Sequence, residues 1–184
     1  MAPIAASQVE DLLSENADPN EFPTPLAKIE PTQCAAVVQE VRAPFIFDAA
    51  PAAHSGGYWV DEDATPTRHV VEIVGVYHSD YDAAAALAGA TRTIESCRND
   101  RIAAGNDGEA PDVIRAQLRR DSGSPQIARW SLAYDDGWAC DDAFVAAHNA
   151  AIEITACGKP SGYDVLGLAR DALSRIEALA DMTK

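Results

Sequence analysis

Four sets of residues in this chain carry atoms that could do chemistry, beginning with Cys34, Cys97, Cys140 and Cys157. Zinc-binding thiols come as C-x-x-C pairs or beside histidines, and here there is no C-x-x-C and no histidine within five residues of any cysteine. Disulfides are therefore expected, with four buried free thiols as the alternative. The acidic runs Asp61-Glu62-Asp63, Asp135-Asp136 and Asp141-Asp142 could bind Ca²⁺, but none alternates oxygen ligands around a glycine as an EF-hand loop does. They read as solvated turns, and no metal or cofactor is expected. His78 and Asp80 could form a local general-base pair, although a strand end meeting a helix cap explains the same residues, and the cap is the preferred reading.

Asp121-Ser122-Gly123-Ser124-Pro125, with His54 far upstream, echoes the nucleophile and histidine surroundings of trypsin-like proteases. A serine hydrolase built on this echo would use Ser122. That family needs a glycine before the Asp-Ser pair for its oxyanion hole, and Arg120 stands there. A turn made from Ser, Gly and Pro accounts for the run, so no catalytic residue is assigned.

The chain that must position these groups has 184 residues, 47% of them apolar, and a net charge of −15. It is long enough for one domain with some surplus. The acidic balance repels phosphates, and the richest basic stretch, Arg115 to Arg120, has only three arginines, so no nucleic-acid surface is expected. No window approaches 18 consecutive apolar residues, and the start lacks the pattern of a signal peptide. Met1-Ala-Pro reads as the start of an already trimmed chain.

Residues 1–31 read as a short helix around Val9, Leu12 and Leu13 followed by a tether, in which residues 14–31 hold four prolines, Pro19, Pro23, Pro25 and Pro31. The domain proper is expected over 32–184. A short helix starts at Thr32, residues 43 to 67 read as a long irregular segment with one short strand, and His69 to His78 reads as a strand. Asp80 is placed to cap an Ala-rich helix running to Ser96, with Leu87, Ala90, Ile94 and Cys97 on one face. Turns follow at 104–111 and 121–125, with Asp112 to Arg120 a helix or a strand. Gln126 to Tyr134 alternates as a strand, Asp135-Asp136-Gly137 turns it, and Tyr163 to Ala180 closes the chain as an amphipathic helix. The expected class is α+β: a mostly antiparallel sheet with helices packed on one face.

The register predicts the cysteine partners. If His148-Asn149 is a two-residue hairpin turn, Cys140 falls opposite Cys157 at a non-hydrogen-bonded pair, where side chains approach most closely. Asn149 tolerates the positive φ such a turn demands. Ala143, Val145, Ala147, Ala150, Ile152, Ile154 and Ala156 then share one face, and Asp142, Phe144, Glu153 and Thr155 the other. Cys34 is left for Cys97. Trp59, Tyr77, Trp130, Tyr134 and Trp138 could line an apolar cleft on the uncovered sheet face, with core packing as the competing reading for each.

Gly137-Trp138-Ala139-Cys140, the alternating strand through His148-Asn149 to Ile152-Glu153-Ile154-Thr155-Ala156-Cys157, and the closing helix resemble the PknH-type extracellular sensor domain family. That family comprises a mycobacterial kinase sensor domain and related cell-envelope lipoproteins. The resemblance extends more loosely to Cys34, the strand Val70 to Tyr77 and the helix ending at Cys97, and covers roughly residues 31 to 180. His148 stands where the family often has a second Asn. The resemblance implies the two disulfides argued above, an antiparallel sheet with helices on one face, no enzymatic activity, and a groove for an unidentified small-molecule or lipid-like ligand. It also implies an extracytoplasmic address, with membrane attachment only through a lipid anchor missing from this sequence. The alternative is a protein–protein interaction module docking an envelope partner.

Overall fold

The structure, a computed structural model, describes residues 4–20, 23–64, 66–98, 100–108, 110–119, 123–159 and 162–182. A 3-10 turn at Ala6–Leu12 leads to a short strand β1 (Lys28–Glu30), a second 3-10 turn at Thr32–Cys34, and two single-turn helices, α1 (Ala35–Val38) and α2 (Pro44–Phe47). There follow β2 (Ala53–Asp61), β3 (Arg68–Val76), α3 (Ala83–Ser96), β4 (Ile102–Gly105), β5 (Asp112–Arg119), β6 (Ile127–Tyr134), β7 (Ala139–Ala147), β8 (Ala150–Gly158) and α4 (Val165–Met182). Among the described residues the strands form one eight-stranded antiparallel sheet in the order β1-β4-β5-β6-β7-β8-β3-β2.

The centre of that sheet is the hairpin expected from the sequence. His148 and Asn149 turn the chain, Ala147 pairs with Ala150, and the register runs out to Cys140 opposite Cys157. The positive φ falls on His148, at 53°, and not on Asn149. Both disulfides are those predicted: Cys34–Cys97 spans 63 residues and Cys140–Cys157 spans 17. Chain-entropy arithmetic gives about 4 and about 3 kcal/mol respectively as upper values.

Every residue of β7 and β8 is buried, on both faces. One face carries Val70, Val74, Val145, Ile152 and Ile154 under Ala169, Ala172, Ile176 and Leu179 of α4. The other carries Val71, Ile73, Trp130 and Phe144 under Leu87, Ala90 and Ile94 of α3 and Val37 and Ile46 from α1 and α2. The α+β class and antiparallel sheet are as expected, with one difference: helices cover both faces. Phe144, Glu153, Asp142 and Thr155, which alternation alone marks as an outward face, are roofed by α1, α2 and α3.

Residues 4–20 and 23–31 also differ from a free tether. Leu12 is fully buried, and two polar nodes hold the segment down. At one, the Asn149 side chain bonds the backbone N–H and C=O of Ile4 at 2.8 and 3.0 Å and reaches Tyr77 O at 2.8 Å. At the other, buried Glu72 accepts from Ser14 N at 2.8 Å and Arg175 at 2.7 Å, while Arg175 Nε donates to Leu12 O at 2.8 Å. Further along, Asp18 bridges to Tyr58, and a Cβ at Gly57 would lie 2.6 Å from Ala17 Cβ, so the crossing requires glycine. β1 then pairs with β4 at the sheet edge.

Three local readings shift. The cap of α3 is Asp82, whose Oδ1 accepts from Ala85 N at 2.9 Å, so the helix begins three residues after Asp80 and the Asp80 cap is corrected. The stretch 43–67 holds α2 and the nine-residue β2, because pairing with β3 orders residues whose own composition favours a loop. Asp112–Arg119 is a strand, and β4 occupies 102–105 where a turn was expected to begin. Ser122, with Arg120 and Asp121, lies outside the described residues.

If the N-terminal segment belongs to the fold, Leu12→Ala removes core packing and lowers unfolding free energy by about 2–4 kcal/mol in urea. A loss below about 0.5 kcal/mol, the range of a surface substitution, would return the segment to a tether.

Candidate functional site

Two adjoining cavities open beside the Cys140–Cys157 end of the central hairpin. The larger, about 700 Å³, is lined by Asn20, Pro23, Glu40, Tyr58, His69, Val71, Trp138 and Cys157. The smaller, about 220 Å³, is lined by Glu40, Val41, Asp112, Tyr134, Asp136 and Trp138 with the chain from Thr24 to Leu26. They share Glu40 and Trp138, and their volume lies in the range of small-molecule sites.

Strand parity places the floor. Tyr58 pairs with Val71 and His69 with Cys157, so these four side chains share one sheet face. The Tyr58 hydroxyl and His69 Nδ1 form a short hydrogen bond, and the rings stack at 6.0 Å. His69 also lies against Trp138, with ring centroids 5.9 Å apart. Trp138 is set by the turn before β7: Gly137 takes a φ of 86°, Tyr134 N donates to Trp138 O, and Trp138 N donates to Asp136 Oδ1 at 2.8 Å. Glu40 follows α1, whose position is fixed from two sides. The Cys34–Cys97 bridge ties the turn before it to the end of α3, and Trp130 Nε1 donates to Val37 O at 2.9 Å.

Of the five aromatic residues named from the sequence, the structure brings Tyr134 and Trp138 together at this site. Trp130 is 1% exposed and packs edge-on to Phe45. Tyr77 is 4% exposed, stacks on Tyr81 at 4.0 Å and donates to Ile46 O. Trp59 points to the opposite face, where it borders a shallow acidic cleft with Asp61 and Tyr163. Neither the core pair nor Trp59 lines the groove, since burial and strand parity place them elsewhere. Glu40, Tyr58 and His69 were not singled out. A two-residue period through β2 would have separated Tyr58 from Trp59, but the Gly-rich run hid that strand, and nothing local marks Glu40.

Burial dominates the electrostatics. Desolvation raises the Glu40 carboxyl to about 7. Deeper on the same face, Asp142 and Glu153 are pushed well above the carboxylate range by burial first, with repulsion from Glu40 adding to both. Thr155 Oγ1 donates to Asp142 Oδ1 at 2.7 Å, whereas Asp142 Oδ2 and Glu153 Oε2 have no hydrogen-bond partner among the described residues. The Tyr134 hydroxyl is raised by burial and then by Glu40. Glu40 lies within 4.8 Å of Cys140 and Cys157 Sγ, the spacing of a metal site, but both sulfurs are committed to the disulfide. The arrangement has aromatic walls, an apolar floor and carboxyl groups, and among the described residues the Tyr58–His69 pair is its one hydroxyl beside a base.

The family described as the PknH-like extracellular domain matches residues 2–175. A solved structure, the crystal structure of the extracellular domain of PknH from Mycobacterium tuberculosis, superposes with a TM-score of 0.72 at 14% identity, covering 98% of each chain. No curated protein matches. Among the described residues no helix is long and apolar enough to cross a membrane.

The raised carboxyls set a pH dependence. A carboxyl whose folded value exceeds its ordinary value binds more protons when folded, so its contribution is intact below the ordinary value near 4.5 and is lost as pH rises through the folded value. Urea unfolding is expected to show stability falling from pH 5 to pH 8, by about 2 kcal/mol or more for the cluster. The D142N/E153Q double variant is expected to reduce that slope and leave the part that Glu40 supplies. A flat wild-type profile, or a slope unchanged in the variant, contradicts the assignment.

Proposed function

Because the chain belongs to the PknH-like extracellular domain family, we propose that it is a non-enzymatic sensor-like or carrier-like module of the cell envelope that takes a small apolar or amphipathic ligand in the groove between Tyr58, His69, Val71 and Trp138. The observation that carries this reading is the larger cavity, about 700 Å³, whose polar and aromatic walls converge beside a disulfide-fixed hairpin. Trp138 stands on a turn pinned by Asp136 and Gly137, and Glu40 on a segment pinned by a disulfide, so the walls are preorganised. The resemblance to mycobacterial envelope proteins supports a lipid-anchored protein as the native setting, with the domain on the outer side of the membrane.

The non-enzymatic reading is supported by the family and by a groove whose described lining holds one hydroxyl–imidazole pair, Tyr58 and His69, and no third group to complete a catalytic set. Ser122 lies outside the described residues, and three of the four histidines have partners apart from one another: His54 edges Phe47, His69 bonds Tyr58, and His148 bonds Glu177.

Native mass spectrometry of the protein incubated with an envelope extract of a mycobacterium is expected to show a retained small molecule. The same extract should raise the melting temperature; a ligand at one hundred times its Kd stabilises by about 2.7 kcal/mol. Trp138→Ala should lose both effects while melting cooperatively. Bare mass together with no thermal shift rejects the reading.

A further inference from the structure

The carboxyl group shared by the two cavities has no counter-charge. Glu40 Oε1 lies 3.5 Å from Cys157 Sγ and 3.9 Å from Cys140 Sγ, but disulfide sulfurs carry no hydrogen, so neither contact is a hydrogen bond. No other described group donates to it. The smaller cavity adds Asp112 and Asp136 to the wall. Among the described residues no lysine or arginine lines either cavity; Lys159 pairs with Asp136 at 3.1 Å.

The acids are only half of the pattern. Trp138 stands between the two cavities, Tyr134 borders the smaller one, and Tyr58 and His69 border the larger. Aromatic faces around a partly desolvated carboxylate form the environment that attracts an organic cation, through the ring quadrupole and through direct charge pairing. Val71 and the disulfide continue the larger cavity as an apolar surface. The chain's net charge of −15 concentrates cations near the surface and disfavours anionic ligands.

We propose that the groove recognises an amphipathic cation, a primary or quaternary ammonium carried on an apolar body, with its head against Glu40 between Trp138 and Tyr134 and its body along Tyr58 and Val71. This rests on the ligand-binding reading of the groove and gives it a chemical class. Phosphate- and carboxylate-headed lipids are excluded as the preferred occupants by the same acids.

Three soluble probes with one body and different heads test it: 4-phenylbutylammonium, 4-phenylbutanol and 4-phenylbutyrate, titrated by calorimetry into the intact protein. The ammonium is expected to bind one to one and at least about tenfold more tightly than the alcohol, the ratio a single charge-assisted contact supplies, and the carboxylate not at all. Glu40→Gln, which keeps the side-chain shape, should bring the ammonium to the affinity of the alcohol. Asp112→Asn, at an exposed wall position, should weaken the ammonium about twofold and leave the fold intact even if the Glu40 variant proves unstable. Equal binding of ammonium and alcohol, or a preference that survives both substitutions, overturns the cation assignment and leaves the groove standing. Preference for the carboxylate overturns it as well. Binding of none of the three removes the groove reading and the cation with it.

Discussion

The register of the β7–β8 hairpin is the constraint on which the rest of the structure depends. One residue of slip would move Val145, Ile152 and Ile154 from beneath α4 to the opposite face and separate Cys140 from Cys157. The turn at His148-Asn149 fixes one end of that register and the disulfide fixes the other. Because β7 and β8 are central and buried on both sides, every neighbour inherits its facing from them: β6 through Leu132 opposite Cys140, β3 through His69 opposite Cys157. The groove is a consequence. Its floor is the row that continues from the disulfide across β3 to β2.

The same register brings acids into the interior. Alternation puts Asp142, Thr155 and Glu153 on the face that α1, α2 and α3 roof, where a carboxylate would be strongly disfavoured. Protonation resolves the conflict at low pH, and Thr155 satisfies one oxygen of Asp142. The opposite face uses another solution: Glu72 stays buried beside Arg175 and holds down the N-terminal segment through Ser14. A buried pair of this kind adds little net stability, since two charges must leave water to make it, but removing one partner would strand the other. Ile4 to Leu13 are thereby committed to the α4 face, while Asn20, Pro23 and the chain from Thr24 to Leu26 border the groove beside Trp138.

What could be read from the chain followed physical period. The hairpin, both disulfides, β3, β6 and the stripe Val165, Ala169, Ala172, Ile176 and Leu179 were legible because alternation and helical spacing are local signals. Asp82 replaced Asp80 as the α3 cap because both residue types suit the position and only the helix start decides. β2 was illegible because Gly56 and Gly57 and the small residues around them look like loop, and the strand is ordered by β3 instead of by its own propensity. The prolines of residues 1–31 suggested a tether because the bonds holding that segment come from Asn149, Glu72 and Arg175, more than 50 residues away. Of the site, Tyr134 and Trp138 were within reach of the sequence; His69 meets them through pairings between distant strands, and Glu40 through the disulfide and the Trp130 hydrogen bond that fix α1.

Membership of the PknH-like extracellular domain family fits this architecture, and at 14% identity the likeness to the solved PknH domain speaks for the fold alone. The central claim is that the cavity beside Trp138 is the place where this fold meets its ligand. The chain carries three tryptophans, at positions 59, 130 and 138. Trp59 faces the α4 side, Trp130 lies in the core, and Trp138 lines the groove, so their indole N–H signals report on three separate environments. In a ¹H–¹⁵N spectrum recorded while an envelope extract is added, the account predicts a progressive shift of the Trp138 indole with Trp59 and Trp130 unmoved. A shift confined to Trp59, or no indole shift where the extract still stabilises the protein, would contradict it.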